Sequence, residues 1–259
     1  MNIKSLWNDN NVRLQSEHKR EKGQFHASSA GSCYRKQLYN YYDFPEDEVP
    51  EKSLAKFRLG TVIHEEVEKA IESSYVYEGA NRLYIEQKVS IPRLNVVGTY
   101  DVGEYIVDEI EEKNKIIFNL YDIKSSAAYP WQKMFGIRKN RVPGTDKNYR
   151  LQLGTYAIAI KEYHDKSPSH YPLDVINMYL VFFKKDDSQI REVFVDNKWM
   201  SEADMYWTQL NIYLGEYERD FEDELTFGIP GVPFRGAEGN YWECNYCNYA
   251  SICPSKQGR

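Results

Sequence analysis

The cysteines are the feature of this sequence that most restricts its fold. Cys244, Cys247 and Cys253 stand within ten residues near the C-terminus, and the fourth cysteine is Cys33. A C-x2-C turn brings two thiolates onto one metal, and in a reducing compartment regularly spaced cysteines are more often metal ligands than disulfides. If Cys33 supplies the fourth ligand, a metal ties the two ends of the chain together. We therefore expect one closed domain over 1–259.

Three interpretations of these cysteines are open. Structural zinc generally takes its ligands from paired turns, two from each. Three clustered cysteines plus one distant one suit a cubane iron–sulfur cluster better, and Pro254 directly after Cys253 matches the ending of some ferredoxin cluster runs. Free cysteines buried in the core are the third interpretation. The spacing favours the cluster, with zinc as the main alternative.

Length and composition exclude several classes of protein. The chain has 259 residues, of which 42% are hydrophobic, enough for a full core, so intrinsic disorder is not expected. No run of about 18 apolar residues is present, which is what a membrane-spanning helix requires. The first twenty residues lack the apolar segment of a secretory signal. We expect a cytoplasmic protein without a membrane partner, located in the host cytoplasm if it is viral.

The net charge and the local charge pattern point in opposite directions about nucleic-acid binding. The net charge of −6 argues against it, since proteins that bind phosphate backbones usually carry a basic surplus. Between Gln132 and Arg150, however, Asp146 is the only acid among six bases, which are Lys133, Arg138, Lys139, Arg141, Lys147 and Arg150. Screening limits the reach of each charge to about 8 Å at physiological salt, so a local basic strip can still bind phosphates. A solvated loop is the alternative.

Hydrophobic periodicity predicts alternating helices and strands. A period of two predicts strands at 83–91, 96–107, 115–124, 175–183 and 190–196, with a turn at 108–114. Helices are expected at 33–42, 54–73, 149–163 and 199–217. Ser53 is the expected cap of the second helix. The aromatic residues adjacent to the basic residues of this strip, Tyr129, Trp131 and Phe135, either stack on nucleic-acid bases or belong to the core.

Two of the predicted helices carry polar residues where packing alone does not explain them. His64 falls on an expected apolar stripe of the helix at 54–73, as a core residue or as an inward-facing ligand. Gln152 and Tyr156 share a face of the helix at 149–163, since they are four residues apart. The apolar stripe of the helix at 54–73 consists of Phe57, Val67, Ala70 and Ile71.

Charged residues inside two predicted strands are the strongest chemical signal. Asp122 and Lys124 project to one face because successive side chains of a strand alternate. They form an active-site pair or a surface ion pair. Asp101 lies in the middle of the preceding strand, where an unpartnered acid is costly to bury. If the two strands form a hairpin, Asp101 and Asp122 lie together and need a cation such as Mg²⁺ between them.

These motifs, in this order, resemble a known family. His64, Asp101, Asp122-Ile123-Lys124, Gln152 with Tyr156 and the cysteine pattern resemble the RecB-like nuclease branch of the PD-(D/E)xK superfamily. The closest likeness is to its iron–sulfur members, such as CRISPR-associated exonucleases and AddB-type recombination nucleases. The resemblance implies an α/β fold: a restriction-endonuclease-like core with a mixed central sheet flanked by helices. That core covers about 53–196, and an iron–sulfur cluster joins the segments at about 25–45 and 240–259.

The resemblance also implies roles for individual residues. Lys124 matches the catalytic lysine, and Gln152 and Tyr156 match the helix motif that orients it and contacts DNA. The four cysteines match the ligands of a [4Fe–4S] cluster. DNA contacts are expected at Arg138, Lys139, Arg141 and Arg150. The expected ligands of a catalytic Mn²⁺ or Mg²⁺ are His64, Asp101, Asp122 and the backbone carbonyl of Ile123.

The implied function is hydrolysis of DNA phosphodiester bonds. The resemblance indicates a metal-dependent exonuclease that prefers single strands or DNA ends, with some endonuclease activity. Its setting is DNA end processing, recombination or CRISPR spacer acquisition in antiviral defence, with other proteins of those systems as partners. No G-x4-G-K-[ST] motif is present, so the motor of the recombination enzymes is missing. The alternative function is a non-catalytic DNA-binding adaptor on the same scaffold.

Overall fold

The computed structural model of the chain describes residues 1–17, 21–110, 113–137, 139–166, 172–220 and 241–253. The helices there are α1 (Ile3–Glu17), α2 (Tyr34–Tyr41), α3 (Glu51–Ser74), α4 (Ala128–Phe135), α5 (Lys147–Lys166), α6 (Lys198–Asp220) and α7 (Tyr241–Cys244). The strands are β1 (Phe25–His26), β2 (Arg82–Ile91), β3 (Val96–Ile110), β4 (Lys113–Ser126), β5 (Val175–Lys184) and β6 (Ile190–Val195). Over these residues, no helix combines the length and the apolar character needed to cross a membrane.

The strands form one mixed sheet. Its order is β1-β3-β4-β5-β6, and β2 also pairs with β3. The β2–β3, β3–β4 and β5–β6 pairs are antiparallel, whereas β4 and β5 run parallel. A parallel pair needs a crossover connection, and α4 and α5 lie in the segment that joins β4 to β5. The predicted α/β class with a mixed sheet is therefore confirmed.

The sheet belongs to a compact unit formed by His26–Gly31 and Gly60–Trp207. Helix α5 packs on β2, β3, β4 and β5, and its residues from Leu151 to Ile160 are all buried. Trp207, at the end of this unit, is fully buried, and its indole NH donates a 2.8 Å hydrogen bond to Thr155 Oγ1. This core holds the part of the sheet on which the candidate site lies.

A second compact unit consists of Met1–Phe25, Ser32–Leu59 and Thr208–Arg259, and it contains all four cysteines. The C-terminal segment of this unit is attached to the residues around α2. Tyr249 packs on Tyr39, with ring centres 5.2 Å apart, and its hydroxyl donates a 2.8 Å hydrogen bond to Asn40. The backbone NH of Asp47 donates to the carbonyl of Asn248. The prediction of one closed domain over 1–259 stays a prediction, because it depends on a bound metal.

Most predicted elements agree with the structure, and the exceptions have local causes. Each predicted strand and helix lies within three residues of an observed one. Helices α1, α4 and α7 and strand β1 were not predicted. The expected turn at 108–114 is wrong, because β3 continues to Ile110 and β4 begins at Lys113. Ser53 does not cap α3, which begins at Glu51, and the NH of Ser53 donates to the carbonyl of Pro50 instead.

The expected apolar stripe of α3 is also wrong. Phe57 is 57% exposed and Ala70 is exposed as well, whereas Glu68 is buried. The inward side of this part of the helix is polar, because His64 and Glu68 line a pocket there. Hydrophobic periodicity assumes that a helix packs on apolar neighbours, and a functional pocket breaks that assumption.

Candidate active site

Strand β4 carries two residues at the centre of the site. Ile116, Phe118 and Leu120 are buried at alternate positions, and Asp122 and Lys124 continue the same row, since side chains of a strand alternate faces. Asp122 is fully buried, and its Oδ2 atom lies 2.7 Å from Lys124 Nζ. Its Oδ1 atom has no hydrogen-bond partner among the described residues. A buried carboxylate oxygen without a hydrogen bond destabilises the fold, so a cation is the expected partner for it.

Asp101 lies on the neighbouring strand, β3. The antiparallel register pairs Val102 with Tyr121, which places Asp101 next to Asp122. Asp101 is 7% exposed, and the backbone NH of Ile123 donates a 2.6 Å hydrogen bond to its Oδ2 atom. The hairpin therefore holds two buried carboxylates close together. Two such groups repel each other unless a proton or a cation lies between them.

Helix α3 adds an imidazole and a third carboxylate. His64 Nδ1 lies 3.6 Å from Asp101 Oδ2. One possible ligand atom from each of His64, Glu68 and Asp101 lies within 4.8 Å of the other two. His64 and Glu68 meet because residues four apart share a face of a helix. This combination of imidazole and carboxylate oxygens fits Mn²⁺ or Mg²⁺.

The electrostatics of these groups favour a bound cation. Burial raises the pKa of Asp122 to about 6, and the charge of Asp101 adds to the effect. Burial likewise raises the pKa of Asp101 to about 6. Burial and a hydrogen bond with Glu86 raise the pKa of Glu68 to about 8. Burial, followed by the charge of Lys124, lowers the pKa of His64, which keeps the imidazole in the neutral form that binds metals. Perturbed groups cluster in this way at functional sites.

Lys124 is a cation held among these acids. Burial lowers the pKa of Lys124, but the charges of Asp122 and Asp101 outweigh this effect, so its pKa lies above the usual value. Its Nζ atom lies 5.5 Å from the centre of the Tyr149 ring, within the range of a cation–π contact. The ammonium group is therefore charged at neutral pH and positioned by two neighbours. It can bind a phosphate oxygen or orient a water molecule.

Helix α5 places Gln152 and Tyr156 in the same unit as the acids. The side-chain amide of Gln152 donates a 2.9 Å hydrogen bond to the Tyr156 hydroxyl, and both residues are buried. Burial, followed by the charge of Asp122, raises the pKa of Tyr156, so the hydroxyl stays protonated. A Cβ atom on Gly98 of β3 would lie 2.8 Å from the Tyr156 ring. The absence of a side chain at Gly98 therefore permits this close approach.

A pocket of about 500 Å³ opens beside His64. Its lining consists of Gly60, Thr61, His64, Glu65, Glu68 and Glu86. The charge of Lys185, in the turn after β5, also acts to lower the pKa of His64, which places that lysine near the site.

The candidate DNA-contact residues differ in their surroundings. Arg138 lies outside the described residues. Lys139 and Arg141 are exposed between α4 and α5. Arg150 is bound twice by one carboxylate oxygen of Asp146, at 2.8 and 2.7 Å, so its charge is already compensated within the chain.

The three aromatic residues of α4 also differ from one another. Trp131 is buried, and Phe135 packs on Trp131 and Phe182 with ring centres 4.8 and 5.0 Å away. These two residues belong to the core. Tyr129 is 69% exposed, with Lys133 Nζ 5.3 Å from its ring centre. Tyr129 is therefore the member of the three that is open to a stacking partner.

The cysteines are near one another without forming a compact ligand set. Burial raises the pKa of the Cys247 thiol, and the charges of Cys33 and Cys253 raise it further. Among the described residues, which include all four cysteines, no three of the sulfur atoms lie within 4.8 Å of one another. An iron–sulfur cluster is therefore not shown, and it stays a prediction.

Several residues of the site were not predicted from the sequence. Glu68 is four residues after His64, and Tyr149 is three residues before Gln152, so helical spacing could have indicated both. Glu86 and Lys185 had no such signal. Glu86 lies on β2 as one of several exposed charged residues, and Lys185 belongs to a charged turn, so neither stands out from a solvated surface.

The mixed sheet brings two buried carboxylates, a lysine and a histidine together, and such a set can hold a divalent cation of the kind that metal-dependent hydrolases use. The family model for the PD-(D/E)XK nuclease superfamily matches residues 94–254, which is more than half of the chain. The chain therefore belongs to the PD-(D/E)XK nuclease superfamily. It is a nuclease hydrolase, and this fold implies DNA as its substrate.

Two solved structures are similar to the chain at low sequence identity. The structure of SSO0001 is 15% identical, with 98% of this chain and 97% of that chain covered and a TM-score of 0.48. An alkaline exonuclease, LHK-Exo from Laribacter hongkongensis, is 14% identical, with 77% of this chain and 90% of that chain covered and a TM-score of 0.36. No curated protein sequence matches the chain.

Proposed function

We propose that this nuclease is a Mg²⁺- or Mn²⁺-dependent DNA exonuclease of the RecB-like iron–sulfur branch. The observation that carries the proposal is the buried pair Asp101 and Asp122, with Lys124 2.7 Å from one acid and His64 3.6 Å from the other. Its proposed role is DNA end processing, in recombination or in CRISPR spacer acquisition.

The residues at the site fit a divalent cation. His64, Asp101 and Asp122, with the Ile123 carbonyl, are the proposed ligands. The buried Oδ1 atom of Asp122 without a partner supports this assignment, as do the raised pKa values of the two acids. When bound, the cation lowers the pKa of a water molecule and stabilises charge on the phosphate.

The remaining residues act on the water and the substrate. The Lys124 ammonium, fixed by Asp122 and Tyr149, is placed to orient the attacking water and to offset negative charge at the phosphorus. Gln152 holds the Tyr156 hydroxyl by a hydrogen bond. A phenol that stays protonated can donate to a phosphate oxygen, so this pair is proposed to position the DNA backbone near Lys124.

A single strand or a DNA end is the substrate that the surface favours. Lys139 and Arg141 are exposed, and Tyr129 presents its ring with Lys133 beside it. Single-stranded DNA binds through bases stacked on aromatic rings and phosphates contacted by lysine and arginine. The exposed basic residues here are few on an acidic protein, which suits a strand more than a long duplex.

The test is a cleavage assay on end-labelled DNA. We expect the purified protein to degrade single-stranded DNA from an end in Mn²⁺ or Mg²⁺, and a chelator to stop the reaction. Duplex DNA with blunt ends and circular single strands are the comparison substrates. Binding of linear DNA without any cleavage in either metal would favour the adaptor function. Equal cleavage of circles and linear strands would contradict the exonuclease assignment.

For the cysteines, we propose a [4Fe–4S] cluster bound by Cys33, Cys244, Cys247 and Cys253. The nearby charges of Cys33 and Cys253 at the Cys247 thiol support a shared cation. Three clustered cysteines and one distant cysteine suit a cubane better than zinc, which generally takes its ligands from paired turns.

Replacing Cys247 by serine is expected to remove the cluster. Protein purified without oxygen should be brown, with broad absorbance at roughly 400 nm from iron–sulfur charge transfer. The Cys247→Ser variant should lose both this band and its iron. Asn245→Ser, at an exposed position between two of the cysteines, is the control and should keep both. Colourless wild-type protein that contains zinc would overturn the cluster in favour of a zinc site.

A further inference from the structure

Arg191 is an exposed cation whose charge is not compensated within the described part of the chain. It is the second residue of β6 and is open to solvent. Arg150 and Lys184 are paired with Asp146 and Asp187, whereas no described carboxylate forms such a pair with Arg191. The guanidinium of Arg191 can therefore bind an anion that comes from outside the chain.

An aromatic ring positions this guanidinium. The Cζ atom of Arg191 lies 4.8 Å from the centre of the Phe135 ring, within the range of a cation–π contact. A guanidinium can stack on a ring and still present a planar fork of NH donors, which matches the geometry of a phosphate. Phe135 packs in turn on Phe182 of β5, so the ring is fixed. Arg191 is thus an oriented donor rather than a freely rotating side chain.

The sheet register places Arg191 in line with Lys124. Lys124 of β4 is paired with Phe182 of β5, and Phe182 is paired with Arg191 of β6. Residues paired in this way project to the same face of a sheet. Neighbouring strands are about 4.8 Å apart, so the Cα atoms of Lys124 and Arg191 are separated by about 10 Å. The two cations therefore stand on one face, at the same level of three adjacent strands.

One aromatic cluster holds both cations. Lys124 Nζ lies 5.5 Å from the centre of the Tyr149 ring, and that ring packs on Phe182 with ring centres 6.0 Å apart. Phe182 therefore contacts both the ring beside Lys124 and the ring of Phe135, on which Arg191 stacks. Since Phe182 is fully buried, this cluster sets the distance between the two positive charges.

We propose that Arg191 binds a backbone phosphate of the DNA strand, two or three nucleotides away from the bond that is cleaved. The inference rests on the proposed function in taking Lys124 as the position of the cleaved phosphate. A stacked strand advances about 3.4 Å per nucleotide, so about 10 Å corresponds to two or three nucleotides. Arg191 is then a substrate-binding residue outside the basic strip at 132–150, on a strand of the sheet.

The experiment measures binding of a fluorescent single-stranded oligonucleotide by anisotropy at several NaCl concentrations, in a chelator so that no DNA is cleaved. Arg191→Gln is expected to lower the affinity about fivefold, the upper range for an exposed ion pair. The slope of log K against log salt concentration should become shallower by about 0.7, the value for one phosphate of a single strand. Arg191→Lys keeps the charge and should keep the wild-type slope.

A second measurement locates the phosphate. An uncharged methylphosphonate replaces each linkage of the oligonucleotide in turn. The wild type should bind one of these probes more weakly than the unmodified strand, whereas Arg191→Gln should bind the two equally, as residues and phosphates in contact do in a double-mutant cycle. Arg82→Gln is the matched control, because Arg82 is an exposed arginine of β2, paired with Tyr105. It should behave as the wild type in both measurements.

The outcomes separate this inference from the proposed function. An unchanged slope in Arg191→Gln overturns the phosphate contact even if the wild type cleaves DNA, and so does an Arg191→Lys variant with the shallow slope of Arg191→Gln. A slope that depends on the charge of residue 191, in a wild type that binds DNA without cleaving it, supports the contact and counts against the exonuclease. A wild type that binds no single-stranded DNA overturns both.

Discussion

Replacing Lys124 by alanine is expected to lower kcat for DNA cleavage by about 10²–10⁴-fold, the usual contribution of a positioned acid–base or charged group. The ammonium lies 2.7 Å from Asp122 and is proposed to act on the attacking water. The loss should appear in kcat and not in the affinity for Mn²⁺, since Lys124 is not a proposed ligand. Single-turnover cleavage and Mn²⁺ titration measure the two quantities separately.

The control for this variant is Lys115→Ala. Lys115 is an exposed lysine near the other end of β4, so its removal changes the net charge equally without touching the site. It should cleave DNA at close to the wild-type rate. Lys124→Gln, which keeps most of the side-chain volume, guards against a folding defect in the alanine variant. Undiminished cleavage by folded Lys124 variants would be incompatible with the proposed catalytic role.

Replacing Gly154 by alanine is expected to destabilise the nuclease unit by about 3 kcal/mol, as overpacking of a core does. A Cβ atom at Gly154 would lie 2.2 Å from the backbone carbonyl oxygen of Trp199. Backbone cannot move aside as a flexible side chain can, so α5 and the start of α6 must separate. The unfolding midpoint should fall by about 6–12 °C, given about 2–4 °C per kcal/mol for a domain of this size.

Gly215→Ala is the matched control, since it makes the same change in another helix. A Cβ atom at Gly215 meets nothing within 4 Å, and alanine is favoured over glycine inside helices by about 1 kcal/mol. This variant should be as stable as the wild type or slightly more stable. A Gly154→Ala variant that is as stable as Gly215→Ala would mean that α5 and α6 are packed less tightly than the structure indicates.

The strands and the acids on them could be predicted from the sequence because both follow from the alternation of side chains along a strand. In β4, alternation of Ile116, Phe118 and Leu120 into the core fixes the face of the following residues. The same alternation places Asp122 and Lys124 together, and pairing with β3 adds Asp101. Local pattern and three-dimensional structure therefore agree along this strand.

The prediction of the apolar face of α3 failed, because polar residues of the candidate site stand where hydrophobic periodicity expects apolar ones. The inward side of α3 at the pocket carries Glu68 beside the predicted His64, and an apolar-stripe rule does not select a glutamate. The left-handed backbone of Glu86, with a φ angle of +50°, has no signature in its residue type, since glutamate does not favour that region. The contact between the C-terminal segment and α2 joins residues about two hundred positions apart, such as Tyr249 and Asn40, and periodicity does not encode which residues meet there.

The acids and the lysine of the site stand on β3 and β4, which are paired with neighbours on both sides. Lys139 and Arg141, by contrast, lie in the exposed connection between α4 and α5. Substitutions are tolerated in an exposed connection of this kind, whereas substitutions in the centre of a sheet usually destabilise the fold. Substitutions in that connection are therefore expected to change the proposed DNA contacts without changing the residues proposed to act on the phosphodiester bond.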